Sequence, residues 1–173
     1  FANTLVGRSP RDLTIEDALA VSRSRYVTRV APLSVGTALL SVGRRSREVP
    51  VLGSTASLLE VRKMTLAQGS FLPPVDARNA VPVCVLGWKV RAELFGASPA
   101  LGESVRIGDR RFRVIGVLAP QGQSLGFNTD EFVVIPVASA QQLFNSFSLL
   151  RILVEAKGRE MVEKAKADVI EII

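Results

Sequence analysis

The order of the hydrophobic segments along the chain constrains its fold more than any other feature. Apolar residues at helical spacing alternate with short runs rich in Val, Ile, Leu and Thr. No apolar run approaches the roughly 18 residues that a membrane span needs. The order is helix, two strands and helix, then a β-rich middle, then helix, strand and helix. It predicts an α+β protein of two lobes, in which the middle is inserted into an α/β lobe built from both chain ends.

The predicted boundaries follow from changes in composition. The composition shifts near Gln68-Gly69, and Pro136 ends the last strand of the β-rich middle. We therefore predict that residues 1–68 form the first part of the outer lobe. Residues 69–136 form the β-rich insertion, and residues 137–173 complete the outer lobe.

Local patterns predict the individual elements. Thr14 with Asp17 three residues later is a capping-box pattern, and the helix that it begins is predicted to run to about Arg25. Residues 26–42 and a return strand through Val51 form a predicted hairpin with a turn at residues 43–46. A short helix is predicted from residues 53–55 to 61. The other predicted strands are residues 81–86, 105–107, 112–118, 132–135 and 149–154, and the other predicted helices are residues 87–95, 138–144 and 159–173.

The composition excludes many kinds of catalytic site. The 173 residues contain no histidine and one cysteine, Cys84. This excludes imidazole acid–base catalysis, histidine-ligated metals, multi-cysteine zinc sites and an internal disulfide framework. Cys84 stands in an apolar run and is predicted to be a buried, inert side chain. No phosphate-binding glycine motif is present. We predict no catalytic residue, no metal site and no cofactor.

One segment resembles a hydrolase motif. Residues 122–126 read Gly-Gln-Ser-Leu-Gly, the spacing of a nucleophile elbow around Ser124. The elbow needs a helix after the serine, whereas a strand is predicted here, and no histidine is available to deprotonate Ser124. A small serine hydrolase using Ser124 is therefore the least favoured alternative, and a flexible glycine-rich loop is the preferred interpretation.

The net charge is +6, with 17 arginines against 5 lysines. Arg44, Arg45 and Arg47 at the hairpin tip form the densest cluster. Such a tip could meet anionic lipid or the carboxylates of a partner, although solvated turns of this kind are common. A basic module that binds anionic lipid or nucleic acid is the first alternative function. The aromatic residues that stack on single-stranded nucleic acid are scarce, at 6% of the chain.

A second candidate contact surface is the loop at residues 121–130. It joins two predicted strands and carries Leu125 and Phe127 among polar residues that include Gln123 and Asn128. Loops on rigid strands are frequent binding sites, and apolar side chains in a polar loop need a reason. Either these two side chains pack back onto the core, or the loop contacts a partner.

Ten short segments together resemble a known family. They are residues 13–18 (LTIEDA), 30–32 (VAP), 51–53 (VLG), 69–71 (GSF), 83–87 (VCVLG), 93–96 (ELFG), 99–102 (PALG), 112–118 (FRVIGVL), 126–130 (GFNTD) and 134–136 (VIP). Their order and spacing resemble the periplasmic core domain of MacB-type ABC transporter permeases. That group includes macrolide exporters, lipoprotein-release permeases and FtsX-like permeases.

The resemblance implies a location, an architecture and a role. The domain would lie on the outer face of the bacterial inner membrane, between two membrane helices of its permease. Its outer lobe corresponds to the family's porter lobe and its insertion to the sabre lobe. The family's strand before the Thr14 helix is expected either within residues 1–7 or to be missing from this sequence. The domain would carry no catalytic residue, since ATP is hydrolysed on a separate cytoplasmic domain or subunit.

The implied partners follow from the same resemblance. They are the membrane and ATP-binding parts of the transporter, a second copy in a homodimer, and a periplasmic adaptor protein or lipoprotein substrate. Nucleic acid is not among them. The predicted function is to couple ATP-driven motion of membrane helices to such an adaptor or to an exported substrate.

Overall fold

The long second strand takes part in two different sheet sections. In the computed structural model, which describes residues 2–6, 12–121 and 129–172, the strands are β1 (Ala2–Val6), β2 (Val27–Val42), β3 (Arg45–Ser54), β4 (Leu66–Gly69), β5 (Val83–Leu86), β6 (Ser104–Ile107), β7 (Arg110–Leu118), β8 (Val133–Pro136) and β9 (Arg151–Ala156). The α-helices are α1 (Ile15–Val21), α2 (Leu58–Val61), α3 (Trp88–Phe95), α4 (Val137–Phe144) and α5 (Val162–Ile172). Single 3-10 turns lie at Thr129–Glu131 and Arg159–Met161. The mixed α and β content confirms the predicted fold class.

The capping box at the start of α1 is confirmed. The Asp17 amide donates to the Thr14 hydroxyl oxygen at 3.2 Å, and the Thr14 amide donates to the Asp17 carboxylate at 3.0 Å. The helix ends at Val21, earlier than the predicted end near Arg25. The amides of Arg23 and Ser24 bond carbonyls three residues back rather than four, as in the 3.0 Å bond from the Ser24 amide to the Val21 carbonyl. The chain therefore tightens into turns before β2 begins.

Both ends of the chain form one antiparallel section. β1 pairs with β9, and β9 pairs with the first half of β2, from Val27 to Leu33. β1 is the strand that was expected before the Thr14 helix. Helices α1 and α5 cover this section, and the apolar core between them contains Ile15, Ala18, Val21, Val30, Ile152, Val154, Ala165 and Val169.

The second half of β2 belongs to a closed ring of six strands. The pairings run from β2 to β3, β8, β5, β7 and β6, and return to β2. β3–β8 and β5–β7 are parallel, and the other four pairings are antiparallel. The ring closes through Leu40 opposite Ile107 and Ser41 opposite Arg106. β4 attaches to β7 outside the ring.

Alternate side chains from all six strands fill the ring. They are Leu40, Val49, Val51, Cys84, Leu86, Val105, Ile107, Phe112, Val114, Val117, Val133 and Ile135. Helix α3 adds Val90, Leu94 and Phe95 to the same cluster. The opposite faces of three strands are buried too, because Leu52, Val85 and Val134 pack against residues of α2 and the segment that follows it. The ring is therefore a packed core rather than a channel.

The ring draws strands from both sides of the predicted boundary at residue 69. β2 and β3 precede that boundary, whereas β5 to β8 follow it. The division into outer and inserted lobes stays a prediction. Over the residues that the structure describes, no helix is both long enough and apolar enough to cross a membrane.

We predict that Ile107→Ala destabilises the protein strongly, because Ile107 is fully buried where the ring closes. Truncating such a side chain typically costs about 2–5 kcal/mol. Leu101→Ala is the control, since Leu101 is 41% exposed and its truncation should cost only about 0.5 kcal/mol. Urea unfolding measures both free energies of unfolding. Equal losses for the two variants would show that the ring interior is not the stabilising core.

Candidate functional site: the arginine hairpin tip and the neck of the 121–130 loop

The structure places the described ends of the 121–130 loop near the arginine hairpin tip. Arg44, Arg45 and Arg47 lie at the tip of the β2–β3 hairpin, as the sequence predicts. The turn is tight, with Val42 opposite Arg45 and Gly43 at a φ of +57°, a left-handed conformation that favours glycine. Arg44 and Arg45 are exposed. The tip therefore presents two adjacent guanidinium groups to solvent.

Arg47 is bound within the molecule. Its Nη1 lies 2.9 Å from Glu93 Oε2 on α3, and its Nη2 lies 2.9 Å from Glu131 Oε2 just before β8. Lys89 Nζ adds a contact of 3.5 Å to the other oxygen of Glu131. Arg45 Nη1 also donates to the main-chain carbonyl of Glu93, at 3.5 Å. These contacts fix the hairpin tip to α3 and to the turn that leads into β8.

The neck of the predicted loop is held beside this ion-pair cluster. The Gln121 amide donates to Asp130 Oδ1 at 3.0 Å, which joins the two chain segments that bound the loop. Gly87 packs directly against the neck, because an added Cβ would lie 2.3 Å from the Thr129 carbonyl oxygen and 2.5 Å from that of Asp130. Only glycine fits there without moving the backbone.

The contact residues predicted within the loop lie outside the described residues. Gln123, Leu125, Phe127 and Asn128 all belong to residues 122–128, as does Ser124 of the hydrolase-like motif. Their roles stay predictions. The two described ends of this segment lie close to Arg47. Glu131, which pairs with Arg47, directly follows Asp130, and Asp130 accepts a hydrogen bond from the Gln121 amide.

The arrangement suits non-covalent contact. Cys84 is buried inside the ring, and burial raises the pKa of its thiol far above the usual range, so the reactive thiolate is suppressed. Across residues 12–121 and 129–170, whose side chains are described, no three His, Cys, Asp or Glu residues gather as a metal site would need. The site offers exposed cations on a rigid support.

Sequence reasoning missed the partners of Arg47. The sequence shows Glu131 only as one of two adjacent acidic residues, and no local pattern marks Glu93 or Lys89 as a partner of Arg47. The three partners are distant from Arg47 in the sequence and meet it only because β3 pairs with β8 in parallel and α3 follows β5 in the same ring. Opposite charges alone could not have selected them among 22 cations and 16 acids.

We predict that Arg47→Met lowers the free energy of unfolding by about 1 kcal/mol, because half-exposed ion pairs contribute roughly 0.2–1 kcal/mol each. Arg44→Met is the matched control and should change it by less than about 0.5 kcal/mol. A double-mutant cycle with Glu131→Gln in urea unfolding isolates the Arg47–Glu131 pair. No coupling at low salt would mean that the pair does not hold the tip in place.

Comparisons with known proteins are consistent across sequence and structure. The family described as MacB-like periplasmic core domain matches residues 2–172. The pyoverdine export ATP-binding/permease protein PvdT of Pseudomonas entomophila is 29% identical over 158 residues, covering 90% of this chain and 24% of PvdT. The macrolide export ATP-binding/permease protein MacB of Syntrophobacter fumaroxidans is 32% identical over 149 residues, covering 84% of this chain and 21% of that protein. The chain thus spans about a quarter of the length of these relatives.

Solved structures share the fold. The periplasmic region of MacB from Actinobacillus actinomycetemcomitans superposes with a TM-score of 0.82 at 23% identity, covering 99% of this chain and 80% of that one. The extracellular domain of the noncanonic ABC-type transporter YknZ from Gram-positive bacteria gives a TM-score of 0.75 at 17% identity, with coverages of 95% and 86%. The family match over nearly the whole chain confirms the resemblance that the ten sequence segments indicated: this chain belongs to the MacB-like periplasmic core domain family.

Proposed function

We propose that this chain is the extracytoplasmic domain of an ABC-type export permease, where it transmits movement of the membrane segments to a protein or substrate outside the membrane. The family match over residues 2–172 carries this proposal. ATP would be hydrolysed on a separate cytoplasmic domain or subunit, and the permease would work as a homodimer on the periplasmic face of the inner membrane. The contacted molecule would be an adaptor protein or the exported substrate.

The fold supports a mechanical role. β2 pairs with β9 through its first half and with β3 through its second half, so one continuous strand joins the section made by the chain ends to the ring. Arg29 on β2 pairs with Glu60 after the hairpin and with Glu155 on β9. The Ser54 hydroxyl donates to the buried Pro32 carbonyl at 2.7 Å. A displacement of β1 and β9 would therefore move the ring and its arginine tip with them.

The proposed lobes follow from this arrangement. The section of β1, β9, α1 and α5 corresponds to the porter-like lobe, which would receive the motion. The β-rich middle corresponds to the sabre-like lobe, which would carry the 121–130 loop. Exposed Arg44 and Arg45, together with that loop, would form the surface that meets the adaptor or substrate.

The location can be tested with one introduced cysteine. In the intact permease, with any cysteines outside this chain replaced, Arg44→Cys should react with a membrane-impermeant maleimide in spheroplasts that have not been permeabilised. The unchanged Cys84 provides the control, because a fully buried thiol with a raised pKa should stay unlabelled. Labelling that appears only after permeabilisation would contradict an extracytoplasmic domain.

Coupling can be tested by reversing charges at the tip. We expect Arg44→Glu with Arg45→Glu in the intact permease to lower export about tenfold, the effect of roughly 1.4 kcal/mol of lost contact energy. The melting temperature should change little because both side chains are exposed. Arg111→Glu with Arg113→Glu on β7 removes the same charge at another exposed site and should leave export unchanged. An equal loss of export in both double variants would show that export depends on the net charge of the domain and not on a specific contact at the tip.

A further inference from the structure

A cationic cleft lies at the opposite end of β2 from the arginine tip. It opens between the chain that follows α1 and the first turns of α5, with a volume of about 850 Å³. Arg23, Arg25 and Lys164 line it around Tyr26, and Asp168 is the carboxylate in its wall. We call these five residues the cationic cleft.

Tyr26 organises the cations. Arg25 Nη2 donates to the Tyr26 hydroxyl oxygen at 2.7 Å, and the Arg25 guanidinium carbon lies 4.9 Å from the ring centroid. Lys164 Nζ lies 5.9 Å from the same centroid. Within the described residues, Arg23, Arg25 and Lys164 form no ion pair with a carboxylate. Their positive charge is therefore directed to solvent instead of being neutralised inside the fold.

Helix dipoles explain only part of this cluster. Arg23 and Arg25 follow the C-terminus of α1, where cations are favourable. Lys164 is the third residue of α5, and a cation near a helix N-terminus is unfavourable. The contact with the Tyr26 ring holds Lys164 opposite the two arginines, and this arrangement lets the three cations share one anionic ligand.

The positive surface continues beyond the cleft. The Lys157 amide donates to the Tyr26 carbonyl at 2.9 Å, which places Lys157 beside the cleft, and Arg159 follows in the same turn. Both side chains are exposed. Opposing them are Glu160 in that turn and Asp168, whereas Glu163 is paired with Lys166 at 3.7 Å. A surface with five cations at one end of the molecule suits an array of phosphates better than one small anion.

We propose that the cationic cleft binds the phosphate of an anionic phospholipid headgroup, so that this end of the domain rests on the membrane surface. Arginine forks and the lysine ammonium would bind the phosphate oxygens, and the Tyr26 ring would lie at the polar boundary of the lipid. The identification of the ligand as a membrane lipid, and not a soluble anion, rests on the proposed function. The charge and the geometry are properties of this chain.

Vesicle sedimentation at low salt tests the proposal with the 173-residue chain. The chain should sediment with mixed phosphatidylglycerol–phosphatidylcholine vesicles and not with phosphatidylcholine alone. Each surface cation strengthens such binding about fivefold, so Arg23→Gln with Arg25→Gln should weaken it roughly 25-fold. Arg111→Gln with Arg113→Gln is the control, since it removes two exposed arginines at the same spacing and should have little effect.

A second pair of variants tests the cleft from its other wall. Lys164→Gln should weaken binding about fivefold, whereas Lys89→Gln, in the ion-pair cluster at the arginine tip, should not. Thermal unfolding of each variant verifies that the fold is retained. Equal losses in the cleft and control variants, or no binding to the mixed vesicles, would overturn the proposal. So would tight binding of glycerol 3-phosphate without vesicle binding, because the ligand would then be a soluble anion.

The outcome is separable from that of the proposed function. Vesicle binding does not depend on export or on where the tip is labelled in cells. If the tip cysteine is labelled from outside while the vesicles do not bind, only the lipid site fails. If the vesicles bind and the tip proves to be cytoplasmic, the lipid site stands and the assignment to an export permease fails.

Discussion

The pairing of one continuous strand with two sheet sections is the constraint on which the rest of the structure depends. β2 extends for 16 residues, and its two halves have different neighbours, β9 for the first half and β3 with β6 for the second. Its side chains therefore contribute to three cores, and Val30 packs in the one covered by α1 and α5. Ala31 and Leu33 pack in the core beneath α2, whereas Leu40 packs inside the ring. A slip of one residue in either pairing would turn the buried side chains of the shifted strand to the opposite face.

Closure of the ring explains why the charged tip is rigid. The last strand to join the ring, β8, places Glu131 beside Arg47, and the parallel neighbour β3 carries Arg47 itself. Helix α3 enters the same core through Val90 and Leu94 and presents Glu93 on its outer side. The ion pairs are thus a consequence of apolar packing. Packing supplies most of the stability, and the charges set the orientation of the tip.

Elements with local signals could be predicted from the sequence, and pairings between distant segments could not. The Thr14 capping box and the hairpin turn at residues 43–46 each depend on a few neighbouring residues, and each was confirmed. The two parallel pairings within the ring, β3–β8 and β5–β7, leave no such local pattern in the sequence. β8 reads as four buried residues in succession, because both of its faces are covered, and such a run shows no alternation that would reveal its neighbours.

The candidate site illustrates the same limit. Its arginines were identified as a group, but the sequence did not distinguish Arg47, which is held by two carboxylates, from exposed Arg44. A similar failure occurred at the predicted strand 149–154, because β9 begins only at Arg151. Leu150 is 56% exposed, because it precedes the strand and lies outside the core. Burial at the edges of an element depends on neighbouring segments that the local pattern does not specify.

The two charged surfaces lie at the two ends of β2, and this placement connects them mechanically. Tyr26 of the cationic cleft directly precedes the strand, and Arg44 lies in the turn after its last residue. A strand of this length spans at most about 50 Å. Because neighbouring strands are hydrogen-bonded to it along most of its length, it should tilt as one piece. A tilt of about 5° at the cleft would then displace the tip by roughly 4 Å, enough to break or form a direct polar contact.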